Sequence, residues 1–205
     1  LICARMFAFL HCGVFGFKGE FAIEKGIIMW PFRHGVLVSM DFDVALLIDM
    51  QPHFLRKLQD GVRARIISAQ VTVIRHCVAR GIPLMLVEYH GGGMTVNELR
   101  DEMPRDMRSC TIIKRHNNGF SCTELHARLQ NLRAESLLLM GVNASGCVYL
   151  TAHSAINKGY KVITAYDLIA DEGCVMPHEA EETMRWYRKN CILAPNSIGL
   201  IGQAA

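Results

Sequence analysis

Three side chains in this sequence can do chemistry together: Cys147, Asp49 and Lys114. Cys147 lies in the stretch GVNASGCVYLTAHSAINKG, where small residues follow an apolar run and precede a helical pattern. A thiol at the start of a helix faces N–H groups without intrahelical partners, and their partial positive charge lowers its pKa. A neighbouring lysine would lower it further. The same N–H groups can hold the oxyanion of a tetrahedral intermediate. Asp49 closes the apolar run DVALLID, and Lys114 stands near the end of CTIIKR. A carboxylate beside a thiol can take its proton. Taken singly, each residue also has a plain role: a strand-end cap for Asp49, a solvated lysine for Lys114, a buried helix-start cysteine for Cys147.

These residues need elements to carry them, and the pattern from Asp41 onward supplies them. DVALLID (43–49), PLMLVEY (83–89), CTIIKR (110–115), ESLLLMGV (135–142), KVITAYD (161–167) and CILAP (191–195) are short apolar runs of the kind buried on both faces of a parallel sheet. Between them, 61–80 places Val62, Ile66, Ile67, Val71, Ile74 and Val78 at helical spacing, with Gly81 as its stop. A short helix is predicted near 95–102, and another over 121–132 from a Ser121/Glu124 capping box. Further helices are predicted over 147–158 and, opened by Pro177, over 178–189. Strand and helix alternate, which predicts an α/β fold: a three-layer α/β/α sandwich around a mostly parallel six-stranded sheet. In such sheets ligands bind at the carboxyl ends of the strands, where Asp49, Lys114 and Cys147 all fall.

The chain has 205 residues, 51% hydrophobic, with 22 basic and 19 acidic side chains. That fits one globular domain, residues 41–205, preceded by an N-terminal extension, 1–40. The extension carries an apolar stretch at 1–17 that loosely resembles a signal peptide but has no A-x-A-like cleavage site. The chain opens on Leu1, and Met29 and Met40 are both candidate starts. No basic stripe implies nucleic acid, and RMFAFLHCGVFGFK is too short and broken to span a membrane. None of the eight cysteines forms a C-x-x-C pair, so most read as reduced, buried small hydrophobes in a cytoplasmic protein, with no zinc site.

Three segments together resemble a known family. ALLIDMQPHF is similar to the opening strand of isochorismatase-like hydrolases, whose Asp is followed by Met or Val and then Gln. IIKRHNNGFSCTELHARL resembles their lysine segment, and LLLMGVNASGCVYLTAHSAINKGYKVITAYDLIAD their cysteine segment, down to the Asp-x-x-Ala-Asp tail. The resemblance covers residues 43–200. It implies a catalytic triad of Asp49, Lys114 and Cys147 acting on a small amide or ureide through a thioester. It further implies a non-proline cis peptide at Val142–Asn143, and an oxyanion hole made by the N–H groups of Asn143 and Cys147. A homo-oligomer, dimer or tetramer, is expected by the same resemblance.

Within the family, isochorismatases proper usually carry glycine at the nucleophile position, which is Cys147 here. Nicotinamidases add a metal bound by Asp-x-His and a later His. Glu88-Tyr89-His90 half-matches the first pair, but GGGMTV stands where the later histidine is expected, so no metal or other cofactor is predicted. A metal-assisted nicotinamidase-like deamidase remains the alternative enzyme, and a non-catalytic or redox-responsive homologue the alternative outside enzymes. Phe54, His90, His116 and Phe120 are the candidate pocket residues. Gly91–Gly93 reads as a surface turn or a lid hinge.

Overall fold

The computed structural model describes residues 22–24, 27–29, 40–108 and 110–202. The stretch 1–17, read above as part of an extension, lies outside the described residues. The chain divides into two compact units, Leu1–Leu37 and Val38–Ala205. In the first, β1 (Ala22–Glu24) pairs antiparallel with β2 (Ile27–Met29).

The second unit runs β3 (Val44–Ile48), α1 (Pro52–Leu55), α2 (Asp60–Arg80), β4 (Leu84–Tyr89), α3 (Asn97–Arg100), α4 (Arg105–Arg108), β5 (Thr111–Lys114), α5 (Thr123–Asn131), β6 (Ser136–Val142), α6 (Tyr149–Asn157), β7 (Lys161–Ala165), β8 (Ile169–Ala170), α7 (Pro177–Asn190), β9 (Ile192–Ala194) and α8 (Ser197–Ile201). A 3-10 turn, Gly119–Ser121, precedes α5, and a π-helical turn, Ala144–Val148, leads into α6. All sheet pairings in this unit are parallel, in the order β5-β4-β3-β6-β7-β9. The six expected strands are present, and a seventh, the two-residue β8, pairs with the end of β6.

The apolar runs are continuous because both faces of the sheet are covered. All five residues of β3 are fully buried. Ala45 and Leu47 face one layer, with Ile66, Val73, Ile74 and Cys77 of α2 and Leu200 of α8. Val44, Leu46 and Ile48 face the other, with Leu125 and Leu129 of α5, Ala152 and Ala155 of α6 and Tyr187 of α7. Burying each of Leu46, Leu47 and Ile48 contributes on the order of 2 kcal/mol, so β3 is a fixed reference for whatever its end carries.

Two helix details differ from expectation. The buried face of α2 runs through Ile66, Gln70, Val73, Ile74 and Cys77, whereas Val62, Ile67, Val71 and Val78 only pack on the core's margin. Gln70 enters the core because its Nε2 donates to Leu168 O at 3.0 Å, which satisfies a buried donor. The Ser121/Glu124 capping box does not form. The chain makes its 3-10 turn first, so Cys122 becomes the residue before α5, Ser121 Oγ donates to Asn118 O, and Glu124 pairs with Arg128. No helix among the described residues is long and apolar enough to cross a membrane.

Candidate active site

The strand order reverses direction at β3: the chain builds outward through β4 to β5, then returns to place β6 on the other side of β3. Such a switch point leaves a crevice at the strand ends. Asp49 follows directly after β3, and its backbone takes a left-handed conformation with φ 54°. Aspartate tolerates this region better than most residues, and the kink turns its side chain out of the strand's alternation. The turn that carries Cys147 follows β6. The Val142–Asn143 peptide bond is cis.

Lys114 ends β5, two strands from β3, and its long side chain crosses the end of β4 to reach the crevice. Nζ donates to Asp49 Oδ2 at 2.7 Å, and both side chains are fully buried. A solvated strand-end role for Lys114 is thereby excluded. Nζ also donates to His116 O at 3.3 Å and lies 4.8 Å from the centroid of the Tyr89 ring. A cation over an aromatic face, in register with its own strand partner, keeps the ammonium aimed inward.

Cys147 is buried, and its thiol stands within interacting reach of both the Asp49 carboxylate and the Lys114 ammonium. Asp49 Oδ1, the oxygen that Lys114 does not take, is buried without a hydrogen-bond partner. The structure thus brings Asp49, Lys114 and Cys147 into one cluster. It reverses one expectation about them. Burial pushes the thiol up to about 12, and the neighbouring Asp49 charge adds to the rise, outweighing Lys114. The resting thiol is therefore protonated, not pre-acidified. Burial also raises the Asp49 carboxyl above its ordinary value, with Lys114 pulling against it.

The cysteine turn is held from several directions. Ser145 N–H and its hydroxyl both donate to Asp171 Oδ1 at 2.7 Å. The buried Tyr187 hydroxyl of α7 donates to Ala144 O at 2.9 Å. Thr151 Oγ1 donates to Cys147 O at 2.7 Å and accepts the Gly119 N–H at 2.9 Å, tying the turn to the segment after Lys114. Of the two acids in the Asp-x-x-Ala-Asp tail, Asp171 caps this turn and Asp167 caps Ser197 at the start of α8.

With this geometry in place, the comparison with known families is decisive for identity. The isochorismatase domain model matches residues 43–186. This chain belongs to the isochorismatase family. A relative among characterised proteins is the secreted isochorismatase effector Isc1 of Verticillium dahliae, 27% identical over 107 residues. That match covers 52% of this chain, which spans about half, 54%, of the effector. Among solved structures, the MAR1 ribonuclease of Caenorhabditis elegans superposes with a TM-score of 0.66 at 18% identity, covering 81% of this chain and 84% of that one. N-carbamoylsarcosine amidase from Thermoplasma acidophilum does so with 0.61 at 19%, covering 75% and 95%. At such identities these two structures speak to the fold.

The other expected pocket residues are placed unevenly around the family's crevice. Phe54 packs edge-on against Tyr89, 6.0 Å between centroids, so it reaches the cluster through that ring. His116 contributes its carbonyl, while its side chain is exposed. His90 is likewise exposed, and its N–H donates to Lys114 O at 2.8 Å. Phe120 stacks on Tyr160 and lies beside His126 and Lys158.

A nicotinamidase-type metal set does not fit here. Glu88 is buried and already accepts the Thr95 N–H at 2.8 Å beside Arg100. Among the described residues, no three His, Cys, Asp or Glu side chains are grouped to hold a metal ion. The Gly91–Gly93 segment is clamped. Buried Gln51 donates to Tyr89 O and Gly93 O and accepts the Tyr89 N–H. Tyr89, Gln51, Thr151, Asp171 and Tyr187 are positioning residues to which the sequence reading gave no such role; Gln51 and Asp171 entered it only as matches to the family's motifs.

Proposed function

We propose that this protein is a cysteine hydrolase that cleaves the C–N bond of a small amide or ureide, with Asp49, Lys114 and Cys147 as its catalytic triad. The observation that carries the reading is a buried thiol set against a buried Asp49–Lys114 pair whose second carboxylate oxygen has no partner. That oxygen is the acceptor for the thiol proton. The sulfur then adds to the carbonyl carbon, and the backbone N–H groups of Asn143 and Cys147 receive the oxyanion. When the intermediate collapses, Asp49 gives its proton to the departing nitrogen and the C–N bond breaks. Water, deprotonated by Asp49, next attacks the thioester. Its proton returns to the sulfur as the acid product leaves. Lys114 keeps the carboxylate oriented and stabilises the thiolate while it exists.

Because the resting thiol is neutral, proton transfer accompanies attack, and an elevated carboxyl pKa suits Asp49 to both directions of transfer. A cytoplasmic setting belongs to this reading. A homo-oligomer is part of the same reading, and sedimentation of the purified chain measures it.

The test is an ammonia-release screen over nicotinamide, pyrazinamide, carbamoyl amino acids and biuret, run beside Cys147→Ala. Turnover on an amide or ureide that vanishes in Cys147→Ala, with the fold intact by circular dichroism, supports the reading. Undiminished release by Cys147→Ala overturns it. Turnover lost on chelation and recovered with added zinc or iron replaces it with the metal-assisted deamidase.

A further inference from the structure

We infer that Glu172 is a positioning residue for the oxyanion-binding turn, acting by fixing Asn143, an inference that rests on the reading just proposed. Asn143 is the first residue after β6 and heads the turn that carries Cys147. Its side-chain amide is held at both ends by one residue: Nδ2 donates to Glu172 Oε1 at 3.0 Å, and Oδ1 accepts the Glu172 N–H at 3.2 Å. Two bonds between the same pair remove the side chain's rotational freedom, and with it the freedom of the Asn143 peptide to swing. A misdirected donor gives up much of an oxyanion hole's value, because the hole works through dipoles fixed before the charge develops.

Three further observations tie Glu172 to this task. Asp171, the residue before it, holds Ser145 through both N–H and hydroxyl, so consecutive acids pin alternate residues of one turn. The Glu172 side chain is 10% exposed, against 41% for Lys57, which donates to the same Oε1 at 3.1 Å. A carboxylate close to a developing oxyanion would oppose it by repulsion, and the Lys57 ammonium offsets that charge. The Gly173 N–H donates to Lys57 O at 3.4 Å, which fixes the segment after α1 against the one bearing Glu172. A substrate entering the crevice therefore meets an Asn143 that is already oriented.

The experiment separates thiol reactivity from oxyanion stabilisation with two reagents. p-Nitrophenyl acetate acylates the thiol: an S–C bond forms, the C–O bond to p-nitrophenolate breaks, and the thiol proton passes through Asp49 to solvent. This route crosses a tetrahedral oxyanion, whereas alkylation by iodoacetamide crosses none. Wild type, Glu172→Ala, Glu172→Gln, Lys57→Met and Cys147→Ala are compared as full chains, with thermal melting for each. Glu172→Ala is expected to slow the p-nitrophenolate burst about 10- to 100-fold, short of the loss of a whole oxyanion donor. Its alkylation rate should stay within about twofold. Glu172→Gln keeps an acceptor for Asn143 Nδ2 and should recover most of the burst. Lys57→Met should slow it less than Glu172→Ala does.

Burst and alkylation falling together, or neither changing, overturns the inference, as does Lys57→Met matching Glu172→Ala while Glu172→Gln fails to recover. A burst that persists in Cys147→Ala instead removes the proposed nucleophile, and so the underlying reading. Loss of the burst in Cys147→Ala, with Glu172→Ala indistinguishable from wild type, removes the role of Glu172 alone.

Discussion

Gly141 of β6 lies directly beside Ile48 of β3, so close that a Cβ built on it would stand 2.0 Å from the Ile48 carbonyl oxygen. Its φ of 141° is also one that other residues rarely adopt. The obstacle is backbone, which cannot rotate away. Gly141→Ala must therefore push β6 from β3 just where Asp49 and the cysteine turn converge. The expected cost is on the order of 3 kcal/mol or more, read as a lower urea midpoint or loss of soluble protein. An alanine variant as stable and active as wild type would show that this approach is not required.

The Asp49–Lys114 pair makes a second, sharper demand. Both side chains are fully buried, so removing one partner strands the other's charge in the core. Lys114→Met is expected to destabilise by about 3–5 kcal/mol. The double variant Asp49→Asn/Lys114→Met, which leaves no buried charge, should lose less than the two single losses added together. A double-mutant cycle in urea measures the difference. Additive losses would mean that the two groups are solvated independently.

Thr151 joins two segments with one hydroxyl, accepting from Gly119 N–H and donating to Cys147 O. Thr151→Val keeps the shape and deletes both bonds, leaving the buried Gly119 N–H without this acceptor. A loss of about 1–3 kcal/mol is expected, together with slower turnover. An unchanged melting temperature would mean that neither bond contributes.

These demands show which parts of the molecule the sequence discloses. Strand runs such as 43–49 and 135–142 are legible because burial on both faces leaves an uninterrupted apolar signature. Asp49, Lys114 and Cys147 are legible as a set because each falls at or near a strand end and because their three segments together resemble the family's. What is hidden depends on contacts between distant segments. The acidity of Cys147 looks lowered when only its turn and a lysine are considered, yet burial and Asp49 reverse it. The stacking of Phe120 on Tyr160, formed through the turn at Gly119–Ser121, is likewise a contact between distant segments. Tyr187 and Asp171, far along the chain, show their purpose only once α7 and the end of β8 lie against the cysteine turn.

Asp49 sets the thiol's proton affinity as well as accepting its proton, and a single variant separates the two effects. Asp49→Asn removes the negative charge that helps hold the thiol near 12 while Lys114 remains beside it. The thiol pKa should fall, so alkylation of Cys147 by iodoacetamide at pH 8 should become faster than in wild type. Turnover should drop by about 10²- to 10⁴-fold, the usual contribution of a general base. Slower alkylation alongside lost turnover would mean that Asp49 acidifies the thiol, contrary to this geometry.

The pH dependence of wild-type kcat/KM follows from the same two groups. Asp49 must be ionised to accept the thiol proton, so the rate falls as pH drops through its pKa. Burial places that pKa above the ordinary 3.8, and the acid limb should sit correspondingly higher. On the alkaline side the thiol, at about 12, adds no limb near neutrality, because proton transfer accompanies attack and no thiolate accumulates beforehand. The profile should therefore rise once and then remain level through the neutral range. A rise centred near the ordinary thiol value of about 8.5 would instead identify a free thiolate as the reacting species. An acid limb at or below 3.8 would mean that the carboxylate works in a more hydrated setting than its burial implies.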